Sequence, residues 1–388
     1  MLNCLLFDFS KELEFLYQTF VEMGDVWWKY VVMWIIGGVL IFLAIKKDME
    51  PALLLPMGFG AILVNIPGAN VLTHGNEQGI IQWLYEGLIG TSEALPILLF
   101  IGIGAMIDFG PLLSNPKMFI LGGAAQFGIF LTVLLASLLG FSINDAASIG
   151  IIGAADGPTS IVVAGALNSN YTGAITVVAY SYMALVPIIQ PLAIKCVTTK
   201  KERLIRMEYK PASVSKVAKI LFPVIVSLVA GLFAPKSLAL VGFLMFGNLL
   251  RECGVLENLS QTAQTTLANL ITLLLGITIA FNMQAEMFVS VKTIIIMALG
   301  IFAFVFDTIA GVMVAKFMNL FTKNKINPMV GAAGISAFPM SARVVQKMGL
   351  KEDSENHLLM HAIGANVSGQ IASAIVGGLI IGIVGGLV

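Results

Sequence analysis

Apolar stretches of membrane-crossing length follow one another along most of this chain. About 20 apolar residues are needed to cross roughly 30 Å of hydrocarbon. The stretches 28–45, 51–68, 93–109, 118–140, 171–194, 216–234, 237–250, 264–283, 291–318 and 357–387 are separated only by charges and turns. Of the 388 residues 11% are charged, whereas a soluble domain carries about 25%. The expectation is an all-α polytopic protein of the cell membrane. Basic and acidic residues balance at 22 each, so no basic excess invites nucleic acid. Cys4, Cys196 and Cys253 stand far apart without metal-site spacing and read as incidental. Residues 1–27 mix Phe and Leu with Asp8, Lys11, Glu12, Glu14, Glu22 and Asp25. They lack the basic start and apolar core of a signal peptide and read as an amphipathic surface segment. The short stretch 79–90, with Trp83 and Tyr85, reads as interfacial.

Two further stretches are apolar enough for the membrane yet broken by Gly, Pro and small polar residues. They are GIIGAADGPTSIVVAGAL, near 146–168, and NPMVGAAGISAFPMSARVVQK, at 327–347. Irregular backbone at membrane depth survives only where protein or a cavity satisfies it. Both therefore read as re-entrant hairpins. The basic stretch 195–215 holds Lys195, Lys200, Lys201, Arg203, Arg206 and Lys210 and should be cytoplasmic. Lys46, Lys47, Lys117, Lys316, Lys323 and Lys325 belong on the same side. These constraints are met if the first hairpin enters from outside and the second from the cytoplasm. That divides the chain into membrane halves 28–194 and 216–388. Gly102–Asp108 resembles Gly276–Asn282 at an offset of 174, and Gly153–Asp156 resembles Gly331–Gly334 at an offset of 178. The expected fold is a pair of inverted repeats with two re-entrant hairpins, an elevator-like transporter architecture.

Asp156 is the most informative residue. A carboxylate inside an apolar run costs several kcal/mol unless it is paired, protonated or cation-bound. Set at a backbone break beside Gly153, Gly157 and Pro158, it could complete the oxygen shell of Na⁺. The alternative is a helix cap for the residues that follow, which would not exclude an ion. Arg343 is the second anomaly, either snorkelling to the interface or holding a carboxylate in two parallel bonds. Asn327, Ser336, Ser341, Asn366, Ser368 and Tyr182 add polar atoms at membrane depth, each alone compatible with a helix-to-helix bond. Asp307 is another intramembrane carboxylate, a partner across the repeat or a bundle contact. Glu93 and Asp108 fall near membrane edges. His357 and His361 have i, i+4 spacing but no third ligand, a weak zinc signal. No GxxxxGK[ST] motif is present, so no nucleotide chemistry is expected.

At GAADGPTSI, at NPMVGAAGISAFPMSARVVQKMG and at HAIGANVSGQIASA the sequence resembles the beta subunit of the sodium-translocating biotin-dependent decarboxylases. The resemblance covers the chain after about residue 28. It implies a subunit that takes carboxybiotin from a mobile biotin carrier protein, decarboxylates it with proton uptake, and moves Na⁺ outward. It implies catalytic roles for Asp156, Tyr182, Ser336 and Arg343, with Tyr180 a near alternative to Tyr182. Arg343, Asn327 and Gly331 would bind the substrate, and Asp156, Asn366 and Ser336 would bind Na⁺. Implied partners are an alpha carboxyltransferase subunit, a single-span gamma subunit and further beta copies in a homotrimer. The charged N-terminus has no counterpart in the pattern. The competing class is a Na⁺-coupled secondary transporter of an organic anion, with the same hairpins and no chemistry.

Overall fold

The computed structural model describes residues 24–47, 50–68, 70–73, 78–208 and 214–386, and all regular structure among them is helical. Residues 1–23 of the surface segment expected over 1–27, with Cys4, lie outside the described residues. The first long helix, α1, is Trp27–Lys47, followed by α2, Pro51–Val64, and α3, Ala94–Met106. Next come α4, Met118–Ala124, α5, Phe127–Leu138, α6, Ile143–Gly150, α7, Gly157–Ala166, and α8, Thr172–Val197. The second half holds α9, Lys216–Phe233, α10, Leu238–Glu252, α11, Ala268–Ile279, and α12, Val291–Phe321. It closes with α13, Met329–Ala332, α14, Met340–Glu352, and α15, Leu359–Val384.

Six helical runs among the described residues are long and apolar enough to cross a membrane, and up to eight if two bent pairs each count as one span. The 79–90 stretch belongs to such a pair: Ile80–Gly90 meets Ala94–Met106 at 66°. Glu93 makes the corner, in the left-handed region at φ 49°. The stretch therefore joins α3 through a sharp corner. The other bent pair is α8, broken by 71° between Met183 and Leu185. Pro187 and Pro191 lie within that helix and remove two of its backbone donors, a standard cause of a kink. The expected spans at 51–68 and 237–250 become helices of 14 and 15 residues, shorter than a crossing.

One packing group joins α1 to α2, α2 to α11, and α3 to α10 and α11; a second joins α4 to α15, α5 to α6 and α12, and α8 to α12. At the crossing of α3 with α10 the backbones nearly touch. A Cβ on Gly104 would overlap the Leu244 carbonyl, and one on Gly247 the Ile101 carbonyl. Asn248 closes the crossing by donating to the Ile107 carbonyl at 2.9 Å.

The basic segment after α8 is tied down rather than free. Thr199 and Glu202 form a capping box, Arg203 pairs with Glu352 at 2.7 Å, and Lys316 pairs with Glu202 at 2.9 Å. Arg206 donates to both Asp353 oxygens, at 2.6 and 3.0 Å, and holds that carboxyl below its usual range. Ties that do not depend on charge come from Asn327, whose Nδ2 donates to the Arg203 and Ile205 carbonyls at 2.9 and 2.8 Å, and from Asn356, whose Nδ2 donates to the Arg203 carbonyl at 3.0 Å.

Two measurements check this packing. Gly104→Val overpacks the α3–α10 crossing and should destabilise the protein by about 1–3 kcal/mol in thermal unfolding in detergent. Asn327→Ala removes two bonds of about 1 kcal/mol each and should speed tryptic cleavage after Arg203 roughly thirtyfold; an unchanged rate would mean the ion pairs and Asn356 hold the segment without it.

Candidate functional site

The first broken segment runs from α6 through a 3-10 turn, Ile151–Ala154, to α7. Ala155 is left-handed at φ 53°, and Asp156 follows as the N-cap of α7. A helix starts with unpaired N–H groups, and here the Asp156 carboxylate accepts weakly from Thr159 N at 3.4 Å. Three side-chain donors converge on its Oδ2: Thr159 Oγ1 at 2.6 Å, Gln370 Nε2 at 3.0 Å and Ser373 Oγ at 3.1 Å. The residue is 3% exposed. Capping and convergence of polar groups therefore coexist, and the alternatives open in the sequence are not exclusive.

The second broken segment passes from α13 through 333–339 to α14. Its tip meets the first tip directly. Ser336 donates to the Ala154 carbonyl through both N, at 3.1 Å, and Oγ, at 2.7 Å. Continuous α15 binds both breaks with one stripe. Asn366, Gln370, Ser373 and Gly377 are spaced four, three and four residues apart, the spacing of one helix face. Asn366 Nδ2 holds the Ile335 carbonyl at 2.6 Å, Gln370 and Ser373 hold Asp156, and Gly377 lies against the Thr159 methyl. Asn366 Oδ1 is buried and has no hydrogen-bond partner among the described residues.

The remaining sequence-selected residues divide by location. Tyr180 packs its ring on Gly157, next to Asp156, and its buried hydroxyl has no partner among the described residues. Tyr182 lies further along α8, its ring against Gly300 and its hydroxyl donating to the Met297 carbonyl of α12. Gly331 packs backbone to backbone against Gly311 where α13 meets α12. Asn327 sits before α13 and ties the basic segment, away from the tips. Ser341 lies against the base of the second break, accepting from Gln190 Nε2 at 2.6 Å, and Ser368 donates to Phe119 O at 3.2 Å.

Arg343 is exposed on α14, and its guanidinium makes no hydrogen bond among the described residues. Its charge reaches Glu50, in the left-handed turn before α2, without an ion pair between them among the described residues. Burial raises the Glu50 carboxyl above its usual range while the Arg343 charge pulls it back. Asp307 is fully buried on α12 and accepts from Gly128 N at 2.5 Å, so it caps the start of α5 from a neighbouring helix. His357 stands before α15 and His361 inside it; the shared helix face that would make a zinc pair is not there. No group of three or more His, Cys, Asp or Glu suited to a metal occurs among the described residues.

Sequence reasoning missed Thr159, Gln370, Ser373 and Glu50. The first three carried a readable signal. Carrying the period from Asn366 along GANVSGQIASA reaches Gln370 and Ser373, whereas Ser368 lies off that face. Thr159 is the third residue after a capping Asp. Glu50 carried none, because the influence of the Arg343 charge on it depends on two helices far apart in sequence.

The model of the family described as Na⁺-transporting oxaloacetate decarboxylase beta subunit matches residues 29–384. The chain is 43% identical to the oxaloacetate decarboxylase beta chain of Klebsiella pneumoniae, covering 90% of this chain and 94% of that one. It is 46% identical to the methylmalonyl-CoA decarboxylase subunit beta of Propionigenium modestum, covering 92% and 95%. To the glutaconyl-CoA decarboxylase subunit beta of Acidaminococcus fermentans it is 45% identical, covering 92% and 94%. Matched along almost its whole length, with both broken segments and the α15 stripe inside the match, this chain belongs to the beta subunit family of the Na⁺-transporting decarboxylases.

Proposed function

We propose that this subunit decarboxylates carboxybiotin with uptake of a proton and uses the reaction to move Na⁺ outward. The observation that carries the reading is Asp156: a buried carboxylate at a helix break, held by neutral donors from two elements and beside the meeting of both tips. One carboxylate among neutral oxygens balances one positive charge, which suits Na⁺ better than a divalent ion. Asn366 Oδ1 and Ser336 Oγ supply further oxygen of the hard type such a cation takes. The match to relatives named for three different acids, at 43 to 46% identity, fits a subunit whose own substrate is common to all three. Carboxybiotin is such a substrate.

In this reading a biotin carrier brings carboxybiotin from the cytoplasm, charged by an alpha carboxyltransferase subunit. A gamma subunit and further beta copies, three in all, complete the assembly. Arg343, with no hydrogen bond of its own, takes the carboxylate in a bidentate grip and so competes with Glu50 for the guanidinium. Asn327 and Gly331 shape the segment on which Arg343 rides. The C–N bond of carboxybiotin then breaks, CO₂ leaves, and the electron pair stays on the ureido nitrogen, which takes a proton. Tyr182 is the donor, freed from Met297 as α8 and α12 shift, and Asp156 restores its proton. Proton arrival and Na⁺ departure are linked because both occupy Asp156. The inverted halves and paired re-entrant tips supply alternating access, one packing group moving against the other.

Asp156→Asn should reduce decarboxylation of free carboxybiotin at least 100-fold at every Na⁺ concentration and abolish Na⁺ stimulation, measured with the gamma partner in detergent. Tyr182→Phe should lower turnover on the order of 10²-fold with Na⁺ binding retained, whereas Tyr180→Phe should weaken Na⁺ binding. Turnover absent from wild type that still binds Na⁺ would instead favour a secondary carrier of an organic anion.

A further inference from the structure

Asp307 is a second buried carboxyl that the proposed cycle leaves idle, and its surroundings are unusual. Its Oδ1 accepts from Gly128 N at 2.5 Å at the start of α5. Its Oδ2 is buried without a hydrogen-bond partner among the described residues. That oxygen lies against Gly153, close enough that a Cβ there would overlap it. Gly153 belongs to the same turn whose next residue, Ala154, holds the second tip through Ser336, and Asp156 follows two residues later. Asp307 therefore touches the back of the tip that carries Asp156.

The contents of this pocket decide what it can hold. The helix α4 and the short α13 carry no ionisable residue, nor does α5. The helix α6 has only Asp145, engaged by Ser142, Ser169 and Asn170, and α8 turns Tyr182 toward Met297. No countercharge faces it among the described residues, and an ionised oxygen without a donor in such surroundings costs several kcal/mol. Contact with the Gly153 backbone leaves no space on that side for a hydrated cation. A proton needs none.

We propose that Asp307 is a proton-carrying carboxyl of the pump, neutral while the first tip packs against it and deprotonated when that tip withdraws. The inference rests on the decarboxylase-pump reading for the motion of the tip. Oδ2 then loses its dry contact, while the Gly128 N–H and the N-terminal end of α5 remain to stabilise the anion. The proton released is available to the reaction that consumes one.

The test is infrared difference spectroscopy of the purified beta and gamma subunits, Na⁺-free against Na⁺-saturated, at mildly alkaline pH. Expected is a protonated-carboxyl band that loses most of its intensity with Na⁺ and is missing from Asp307→Asn, a variant that keeps an acceptor for Gly128 N–H. Absence of any such band assignable to Asp307 would make it an ionised cap, and a band unchanged by Na⁺ would make it a static neutral one; either overturns the proposal. Should Asp307→Asn not fold, Gly153→Ala, which presses on Oδ2, is expected to shift the same band, and no shift would count against it. If Na⁺ alters the signal removed by Asp156→Asn and leaves Asp307 untouched, the pump reading stands and only this inference fails. If wild type gives no Na⁺ response at all, the pump reading fails.

Discussion

Lipid offers no partner to a free N–H or C=O, and the arrangement of this protein follows from the two places where its helices stop inside an apolar environment. Both breaks are satisfied by one another and by α15. Ser336 closes on Ala154, Asn366 closes on Ile335, and Gln370 with Ser373 closes on Asp156. The continuous helix thus acts as a template: its turns are regular, so a polar residue every three or four positions meets both irregular segments at fixed heights. The groups that solve the backbone problem, Ser336 and Asn366, share these elements with the donors on the Asp156 carboxylate, Thr159, Gln370 and Ser373. In the proposed reading, structural satisfaction and ion binding are one arrangement.

Two helix starts in this core carry a carboxylate, and the comparison between them is informative. Asp156 caps its own helix and has three side-chain donors; Asp307 caps a neighbouring helix and has backbone donors on one oxygen only. An anion at a helix start is favoured in both cases by the end charge of the helix. What differs is the other oxygen. Polar atoms surround it in the first and glycine backbone in the second, and a cation can exploit only the former. The proposed division of labour, Na⁺ at one and a proton at the other, follows from that contrast.

Much of this was legible in the sequence. Apolar length predicted helices, and Gly, Pro and Ser inside two apolar runs located both breaks. Asp156 stood out because a carboxylate there needs a reason. Less legible was anything set by packing between distant elements. The α3 corner at Glu93 depends on a left-handed residue that no pattern marks. The apolar run at 51–68 passed for a crossing because hydropathy does not register where a helix stops, here at Val64, whereas 237–250 is as short in sequence as the 15-residue helix it forms. The preference for Tyr182 came from resemblance, and only packing separates a tyrosine on the Asp156 tip from one bound to Met297. Asn327 stood out as a polar residue in an apolar run, and only packing shows its amide bonded to the backbone of the basic segment.

A pump must also let go. The hydrogen bonds directly between the tips, among the described residues, are two, both to the Ala154 carbonyl, each worth about 0.5–1.5 kcal/mol net. Moving one charge through 100 mV is worth about 2.3 kcal/mol. The junction is therefore of the same order as the driving force it has to answer. A stronger lock, such as a buried ion pair between the tips, would leave an uncompensated charge at each opening and cost about 3–5 kcal/mol. A neutral serine on a backbone carbonyl as the tip-to-tip bond, with the Asp156 charge kept out of it, keeps the junction closed at rest and within reach of opening in the proposed cycle.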